Sequence, residues 1–311
     1  MNQPPSSFKS GFLTIVGQPN VGKSTLLNQI LGEKIAITSP KPQTTRDRIV
    51  GIKHLPGAQI VFLDTPGIHD AKSSKLNEVM VQQAVATLSQ VDGILLVIDA
   101  AWQVAKDPAT PLAGDVAILD AIRAAGSRPV ILVPNKVDKV DKASLLPLID
   151  GWQRLHPFAA VVPLSAKDGA NVERLLPAIT ALLREGPPFY PDDMVTDRSL
   201  RFLMAEIIRE KVFLQLGQEL PYAIAVEVEA WEETDTLVRI SAAIHVERET
   251  QKKIVIGAKG ARAKAIGTAA RLDMEAFLEK KVFLELYVRV EEDWTQKRRS
   301  LDRFGYVVEK K

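Results

Sequence analysis

Short apolar runs alternate with amphipathic stretches from Phe12 to about residue 185. The runs have the length and β-branched content of strands, and several are apolar at every position, as expected where helices cover both faces of a sheet. Helical patterns lie between most of them. The alternation predicts an α/β unit with a mostly parallel, doubly wound sheet. The predicted strands are FLTIV, DRIVGI, QIVFLD, GILLVID, PVILVP and AVVPLS.

The pattern changes at residues 184–199, where prolines, a glycine and acidic residues interrupt the periodicity. Such a stretch is typical of an interdomain linker. A second, α+β pattern follows: a helix at 200–216, strands at 223–231 and 236–246, a glycine-interrupted helical region and the strand VFLELYVRVE. We predict a flexible N-terminus at 1–10, a first domain at 11–186, a linker at 187–198 and a second domain at 199–311.

Composition narrows the class of protein. The chain has 311 residues, 46% of them hydrophobic and 25% charged, which favours two globular domains over disorder. The absence of cysteine excludes disulfides and thiolate chemistry. The start MNQPPSSFKSG lacks a secretory apolar core, and the longest apolar run, near GILLVIDAA, is about half the ~20 residues of a membrane helix. These features predict a cytoplasmic protein.

The segment GQPNVGKST, residues 17–25, lies between the first predicted strand and the helical pattern STLLNQIL. It fits G-x-x-x-x-G-K-[ST] in the strand–loop–helix context that this motif requires. Its glycines allow successive N–H groups to converge on phosphate oxygens at a helix N-terminus. We expect Lys23 to contact the β- and γ-phosphates and Ser24 to bind Mg²⁺. The predicted contacts are Gly17, Gln18, Pro19, Asn20, Val21, Gly22, Lys23, Ser24 and Thr25.

The segment DTPG, residues 64–67, ends the strand QIVFL. Its Asp64 is placed for a magnesium carboxylate, and the Gly67 N–H can face a γ-phosphate. We count all four residues, Asp64, Thr65, Pro66 and Gly67, as nucleotide contacts. The next residue, Ile68, stands where many small GTPases have the glutamine that orients the attacking water. An alkyl side chain cannot hydrogen-bond water, so we expect slow intrinsic hydrolysis.

Two further segments predict recognition of a base. NKVD, residues 135–138, follows PVILVP at the carboxyl end of a strand, where open α/β sheets bind ligands. A carboxylate at Asp138 can accept from N1–H and N2–H of guanine, which favours GTP over the ATP that an ATPase or nucleotide kinase would use. SAK, residues 165–167, can offer an N–H to guanine O6. The predicted contacts are Asn135, Lys136, Asp138, Ser165, Ala166 and Lys167.

With these motifs in this order, the first domain resembles the P-loop GTPases of the translation-factor class. The resemblance implies that residues 35–52, IAITSPKPQTTRDRIVGI, hold the first switch loop, whose threonine binds Mg²⁺ and the γ-phosphate. Thr44 and Thr45 both fit, and the family pattern T-T-R favours Thr45. We favour a solvated or RNA-facing role for Arg46 over a catalytic one.

The resemblance also assigns catalytic and metal-binding candidates. Asn20 matches the position at which family members hold a potassium ion, and a turn-forming asparagine fits there equally well. The metal candidates are Ser24, Thr45 and Asp64, and the catalytic candidates are Lys23, Thr45, Gly67 and Asn20.

In the second domain, GAKG at 257–260 matches G-x-x-G, a pattern too short to be informative alone. Residues 248–271 around it contain seven lysines and arginines against one acid, although residues 186–311 hold 21 basic and 22 acidic residues. The positive charge is therefore local, which suits a short single strand. A solvated helix face is the alternative interpretation.

The order of elements around GAKG resembles the type II K-homology (KH) domain, in which this loop clamps about four nucleotides of single-stranded RNA. The resemblance implies RNA contacts at Lys252, Lys253, Ile256, Gly257, Ala258, Lys259, Gly260, Arg262 and Lys264.

Taken together, the two domains resemble the bacterial Era-type GTPases over nearly the whole chain. The resemblance implies a GTPase that uses GTP/GDP, Mg²⁺ and K⁺, and that binds near the 3′ end of 16S rRNA during assembly of the 30S ribosomal subunit. It further implies nucleotide control of RNA access, a monomer, and peripheral contact with the inner membrane.

Two features depart from the family pattern: Gln18 stands where arginine is frequent, and residues 101–114, AWQVAKDPATPLAG, are interpreted as a loop. The alternative function is a signalling GTPase whose second domain binds a protein or a membrane surface.

Overall fold

The structure is a computed structural model that describes residues 8–38, 49–64, 84–216 and 224–304. The chain forms two compact units. Of the described residues, 8–36, 49–64 and 84–197 belong to the first unit, and 37–38, 198–216 and 224–304 to the second. Several predicted site residues lie outside the described residues: Thr44, Thr45, Arg46, Thr65, Pro66, Gly67 and Ile68.

The first unit contains a seven-stranded sheet in the part of the chain described, with the order β2-β3-β1-β4-β5-β6 and β7 paired to β1. β1 pairs in parallel with both β3 and β4, and β4 continues in parallel to β5 and β6. Only β2 and β7 are antiparallel to their neighbours among these strands. This confirms the mostly parallel sheet. The strands are β1 Lys9–Val16, β2 Ile49–Leu55, β3 Ala58–Asp64, β4 Gly93–Asp99, β5 Val130–Asn135, β6 Ala160–Val161 and β7 Arg184–Glu185.

Helices connect and cover these strands, as the apolar runs require. The central strands β4 and β5 are buried almost throughout because helices supply apolar side chains around them, such as Leu119 and Trp152. The core therefore fixes the carboxyl ends of the parallel strands at one edge. The helices are α1 Lys23–Leu31, α2 Ala100–Lys106, α3 Ala113–Ala125, α4 Lys142–Leu155 and α5 Val172–Thr180.

The interpretation of residues 101–114 as a loop is wrong for residues 101–106, which lie in helix α2, and for 113–114, which begin α3. Helix α2 begins directly after β4, and the side chain of Asp99 caps it by accepting from the Trp102 N–H at 3.0 Å. Its buried Gln103 accepts from the Trp152 indole N–H at 2.9 Å and donates to the Pro108 carbonyl. The prolines end the helix but do not prevent it, because they stand beyond its last turn.

The predicted strand AVVPLS is shortened by its proline. Only Ala160–Val161 pair as a regular strand, although the amides of Val162 and Leu164 still donate to β5 at 2.9 Å each. Pro163 between them has no N–H to donate. The chain therefore follows the edge of the sheet beyond the strand.

Residues 187–197, within the predicted linker, are hydrogen-bonded to the first unit. The side chain of Gln59 accepts from the Phe189 and Tyr190 amides and donates to the Tyr190 carbonyl at 2.7 Å. The Ile52 amide of β2 donates to the Val195 carbonyl at 2.8 Å. This segment thus runs along the edge strand β2 in a defined conformation.

The second unit has a three-stranded sheet in the order β10-β9-β8, with β9 antiparallel to β8 and parallel to β10. Buried side chains of α6 and α8, among them Ile208, Phe213 and Met274, form its core. The element order confirms the predicted type II KH arrangement. Its elements are α6 Leu200–Gln215, β8 Ala225–Glu233, β9 Leu237–Val246, α7 Glu249–Ile256, α8 Ala261–Leu278, β10 Lys281–Val290 and α9 Arg298–Arg303.

The helices that the structure describes include none with the length and apolar character needed to cross a bilayer.

Candidate functional site

The phosphate loop, residues 17–25, connects β1 to α1 in a conformation that its two glycines make possible. Gly17 has φ 156°, and a Cβ there would lie 2.2 Å from the Val97 carbonyl oxygen. Gly22 caps α1 with φ 100°, and a Cβ there would lie 2.3 Å from Nδ2 of Asn135. No side chain caps the N-terminus of α1. The loop can therefore present its backbone N–H groups to an anion.

Lys23 lies beneath this loop and is only 7% exposed. Its Nζ donates to the carbonyl oxygens of Gly17 at 2.9 Å and Gln18 at 2.8 Å. Burial lowers the pKa of Lys23 to about 8, while the carboxylates of Asp64 and Asp115 act in the opposite direction. The ammonium is thus charged at neutral pH and held by neutral acceptors, which phosphate oxygens can replace with stronger, charge-assisted bonds.

Ser24 and Asp64 meet at the carboxyl end of β3. The Ser24 Oγ donates to Asp64 Oδ2 at 3.2 Å, and Asp64 is fully buried. Hydroxyl and carboxylate oxygens are the ligands that Mg²⁺ prefers, and it is usually bound by few protein ligands together with phosphates. This pair fits a magnesium ion that bridges the protein and a nucleotide.

Asn135 joins three of the predicted segments. It is 2% exposed, and its Nδ2 donates to the Val21 carbonyl in the phosphate loop at 2.7 Å. Its Oδ1 accepts from the amides of Lys136 at 2.8 Å and Ala166 at 2.9 Å. One buried amide side chain therefore fixes the phosphate loop, the NKVD segment and the SAK segment against one another.

The remaining residues of the base-recognition segments surround Asn135. Lys136 has φ 65°, and its Nζ donates to Asp99 Oδ2 at 2.6 Å and to the Asn20 carbonyl at 2.8 Å. Asp138 lies in a 3₁₀ turn at Val137–Lys139 and is exposed. Ser165 is buried and Lys167 is exposed at the end of the β6 segment. The Asp138 carboxylate is accordingly open to a ligand.

Two acidic residues at this site were not among the sequence candidates. Asp99 pairs with Lys136, and Asp115 interacts with Gln18 and Lys23. Asp99 could have been found from its position at the carboxyl end of a parallel strand. Asp115 follows directly on the segment interpreted as a loop, and no local pattern connects it with residues almost a hundred positions earlier.

In the second unit, the G-x-x-G loop joins α7 to α8 through left-handed backbone. The φ values are 72° at Gly257, 49° at Lys259 and 79° at Gly260. A Cβ at Gly257 would lie 2.8 Å from Cβ of Arg262, whereas one at Gly260 would meet nothing within 4 Å. The first glycine is thus required by close packing, and the second leaves the loop open to solvent.

The predicted RNA-binding cations surround this loop. Lys253, Lys259 and Lys264 are exposed, Lys252 is half-buried, and none of the four has a carboxylate partner among the residues that the structure describes. Arg262 differs because its Nη1 donates to the Ile254 carbonyl at 2.6 Å. Arg262 therefore also holds the two helices together across the loop. Ile256 and Ala258 flank the first glycine.

Each of the two units matches a known protein family. Residues 12–136 match the family described as 50S ribosome-binding GTPase, and residues 219–295 match the KH domain. Residues 184–199, where the sequence pattern changes, lie between the two matched ranges.

Relatives and solved structures resemble the chain over almost its full length. The chain is 52% identical to GTPase Era of Geotalea uraniireducens, covering 96% of this chain and 98% of that protein. It is 46% identical to GTPase Era of Coxiella burnetii, covering 95% and 97%.

Two solved Era structures, each 43% identical, match 97% of this chain and all of the other with a TM-score of 0.90. One is an Aquifex aeolicus Era variant bound to GDP·AlF₄⁻. The other is Era in complex with MgGDPNP and nucleotides 1506–1542 of 16S ribosomal RNA. The chain belongs to the family of Era GTPases.

Proposed function

We propose that the chain binds and hydrolyses GTP and binds RNA near the 3′ end of 16S rRNA during assembly of the small ribosomal subunit. One observation carries the proposal: Asn135 joins the phosphate, NKVD and SAK segments into one site, and the same chain holds an open G-x-x-G loop. The family relationship and the relative bound to MgGDPNP and 16S rRNA support it.

In the proposed GTP site, the phosphate loop supplies N–H donors and Lys23 supplies the neutralising charge. Asp138 accepts from N1–H and N2–H of guanine, and the SAK segment faces O6. Asn135 does not need to touch the base to matter, because it holds the loops that do. Ser24 and Asp64 would bind Mg²⁺, together with Thr45. The ion supplies charge that stabilises the transferring phosphoryl group.

Four parts of the proposal concern hydrolysis and how the nucleotide state is sensed. With Ile68 at the water-orienting position, hydrolysis is slow, and Asn20 helps hold K⁺ as an additional source of positive charge. Gly67 contacts the γ-phosphate and so reports its presence. The nucleotide state then controls whether the KH unit has access to RNA.

We further propose a cytoplasmic monomer with peripheral contact at the inner membrane.

For RNA, the proposed contact is the backbone of a short single strand. The G-x-x-G loop lets phosphates approach closely, and the surrounding lysines are not neutralised by carboxylates among the described residues. Positive charge confined to this face favours local binding over coating of a long duplex.

The guanine assignment is tested by Asp138→Asn. The variant should lose GTP affinity and gain affinity for xanthosine triphosphate, because the xanthine ring presents an oxygen where guanine has its amino group. Titration calorimetry with both nucleotides measures the exchange, and Asp120→Asn on α3 is a matched surface control. Unchanged GTP affinity in Asp138→Asn would contradict the assignment.

The RNA assignment is tested by Lys259→Asp with Lys264→Asp. This pair leaves Arg262 and its bond to Ile254 in place. Binding of a synthetic RNA equivalent to the 3′-terminal segment of 16S rRNA should fall by at least about a hundredfold, while GTP binding is unchanged. Lys142→Asp with Lys281→Asp changes the net charge equally and should retain RNA binding. RNA binding that survives the first pair would favour the signalling alternative.

A further inference from the structure

Asp115 is a buried carboxyl group beside the phosphate loop, in the first turn of α3. It is 1% exposed, and its Oδ1 has no hydrogen-bond partner among the described residues. A buried carboxylate with an unsatisfied oxygen is costly when charged and much less so when protonated. Its presence next to a site for a polyanion therefore calls for a physical explanation.

Gln18 connects Asp115 to the phosphate loop. The Gln18 side-chain amide lies against α3 and lowers the pKa of the Asp115 carboxyl group, and the Gln18 backbone carbonyl accepts from Lys23 Nζ at 2.8 Å. The Gln18 amide lies so close to α3 that a Cβ on Gly114 would stand 2.8 Å from it. The side chain is thus held between α3 and the loop, so the state of Asp115 acts directly on the backbone that surrounds the phosphates.

The charged groups around Asp115 act in opposite directions. Burial raises the pKa of Asp115 to about 6, the nearby Gln18 side chain lowers it, Asp99 raises it and Lys23 lowers it. Asp99 is itself paired with Lys136 at 2.6 Å, and Lys23 is shared with Asp64. Of these groups, Lys23 is the cation that favours a charged Asp115.

Bound phosphates weaken the effect of Lys23 on Asp115. In the proposed GTP site Lys23 turns to the phosphate oxygens, and the negative charge of the nucleotide then lies near Asp115. Both changes disfavour the carboxylate relative to the neutral acid. We propose that Asp115 is a positioning residue of the nucleotide site that takes up a proton when the phosphates bind and releases it when they leave. This inference rests on the proposed GTP site.

The sign of the pH effect follows. Because the proton is held more tightly in the complex, affinity is highest below the free-state pKa of about 6 and falls by up to about tenfold per pH unit above it. Lys23, with a pKa of about 8, weakens binding only at higher pH, when it loses its charge. Asp115 and Lys23 therefore affect nucleotide affinity in separate ranges of pH.

The test compares the full chain with Asp115→Asn, a neutral side chain of the same shape. GDP binding is measured by calorimetry at pH 7 in buffers of different ionisation enthalpy, which counts the protons exchanged. The natural chain should take up about one proton more than Asp115→Asn and bind about tenfold more weakly at pH 7, with the two converging near pH 5. Asp120→Asn, an exposed carboxyl on the same helix, should match the natural chain.

Gln18→Leu provides a second variant if Asp115→Asn does not fold. Loss of the polar Gln18 side chain, which lowers the Asp115 pKa, raises that pKa, so the fall in affinity should begin at higher pH. Equal proton counts and parallel pH profiles in the natural chain and Asp115→Asn, or an unmoved profile in Gln18→Leu, would overturn the inference. Failure of the natural chain to bind guanine nucleotide at any pH would instead overturn the proposed function.

Discussion

The two glycine-rich loops of this molecule use the same residue types in opposite settings. Each is followed by a helix whose N-terminal cap is a left-handed glycine, Gly22 before α1 and Gly260 before α8, and neither cap has a side-chain hydrogen bond. Each also contains a lysine. Lys23 is 7% exposed and bonded to its own loop, whereas Lys259 is exposed.

This contrast explains how two similar loops can bind different ligands. Around the phosphate loop, Asn135 and Lys136 come from distant segments and donate to its backbone carbonyls before any ligand arrives. Such preorganisation favours one small ligand in one pose. Among the described residues, the G-x-x-G loop is held by short-range bonds: the Gly257 amide donates to the Lys253 carbonyl at 2.9 Å, and Arg262 donates to the Ile254 carbonyl. An open basic loop can hold the backbone of a longer polymer without defining every base.

Lys23→Ala should have the largest effect on ligand binding. It should also show most clearly that the two loops bind different ligands. Loss of the buried ammonium removes the main positive charge of the phosphate site, so guanine-nucleotide affinity should fall by about 10²–10³-fold. Binding of the synthetic rRNA segment without nucleotide should not change. Fluorescent-GDP titration and RNA gel shifts measure both, and Lys259→Ala should weaken RNA binding several-fold without changing GDP affinity. A parallel loss of both affinities would show that the loops are not independent.

Asn135→Ala should have the second-largest effect. It removes the side-chain hydrogen bonds from a distant segment that hold the phosphate loop and that the G-x-x-G loop, within the described part of the chain, does not have. The buried carbonyl of Val21 and amide of Ala166 lose their partner, which should cost about 3 kcal/mol in the free energy of unfolding of the first unit. Urea denaturation followed by tryptophan fluorescence measures this. Asp138→Asn, on the exposed side of the same segment, should change stability by less than about 0.5 kcal/mol.

Alanine at the two helix-capping glycines should lower the free energy of unfolding by smaller amounts, and by unequal ones. Gly260→Ala should cost about 1 kcal/mol, because it meets only the penalty of left-handed backbone. Gly22→Ala adds a clash with Asn135 Nδ2 and should cost at least about 1 kcal/mol more, with weaker nucleotide binding. Equal losses of stability in the two variants would contradict the contrast between the phosphate loop, which packs against Asn135, and the open G-x-x-G loop.

Lys259→Gln should give the smallest effect. One phosphate contact fewer should weaken RNA binding several-fold and reduce the slope of log affinity against log salt by about 0.7. Lys281→Gln, which lies outside the loop, should leave the slope unchanged. A salt-independent loss would indicate that Lys259 shapes the loop and does not contact phosphate.

Contiguous motifs were predictable because their chemistry is local. Residues 17–25 and 257–260 carry glycines whose backbone freedom is needed wherever the loop lies, and the structure places left-handed backbone at Gly22, Gly257 and Gly260. The mostly parallel sheet and the order of helices and strands in the second unit followed from periodicity for the same reason, whereas the KH assignment came from resemblance to a known family.

Features that depend on distant partners were not predictable. Helix α2 was missed because prolines close after it dominated the local pattern, while the partner that fixes it, Trp152, lies about fifty residues away. The end of β6 was overestimated because apolar character does not reveal a missing N–H at Pro163.

Neighbouring residues were enough to predict which backbone segments can hold phosphates and which periodicities build the two units, since glycine conformations and strand or helix patterns are local properties. The folded chain was needed to see that Asn135 joins three segments, that Lys23 is buried with a lowered pKa, and that Asp115 is buried near the phosphate loop. Hydrogen bonds and burial depend on which side chains the fold brings together, and spacing along the chain does not encode that proximity.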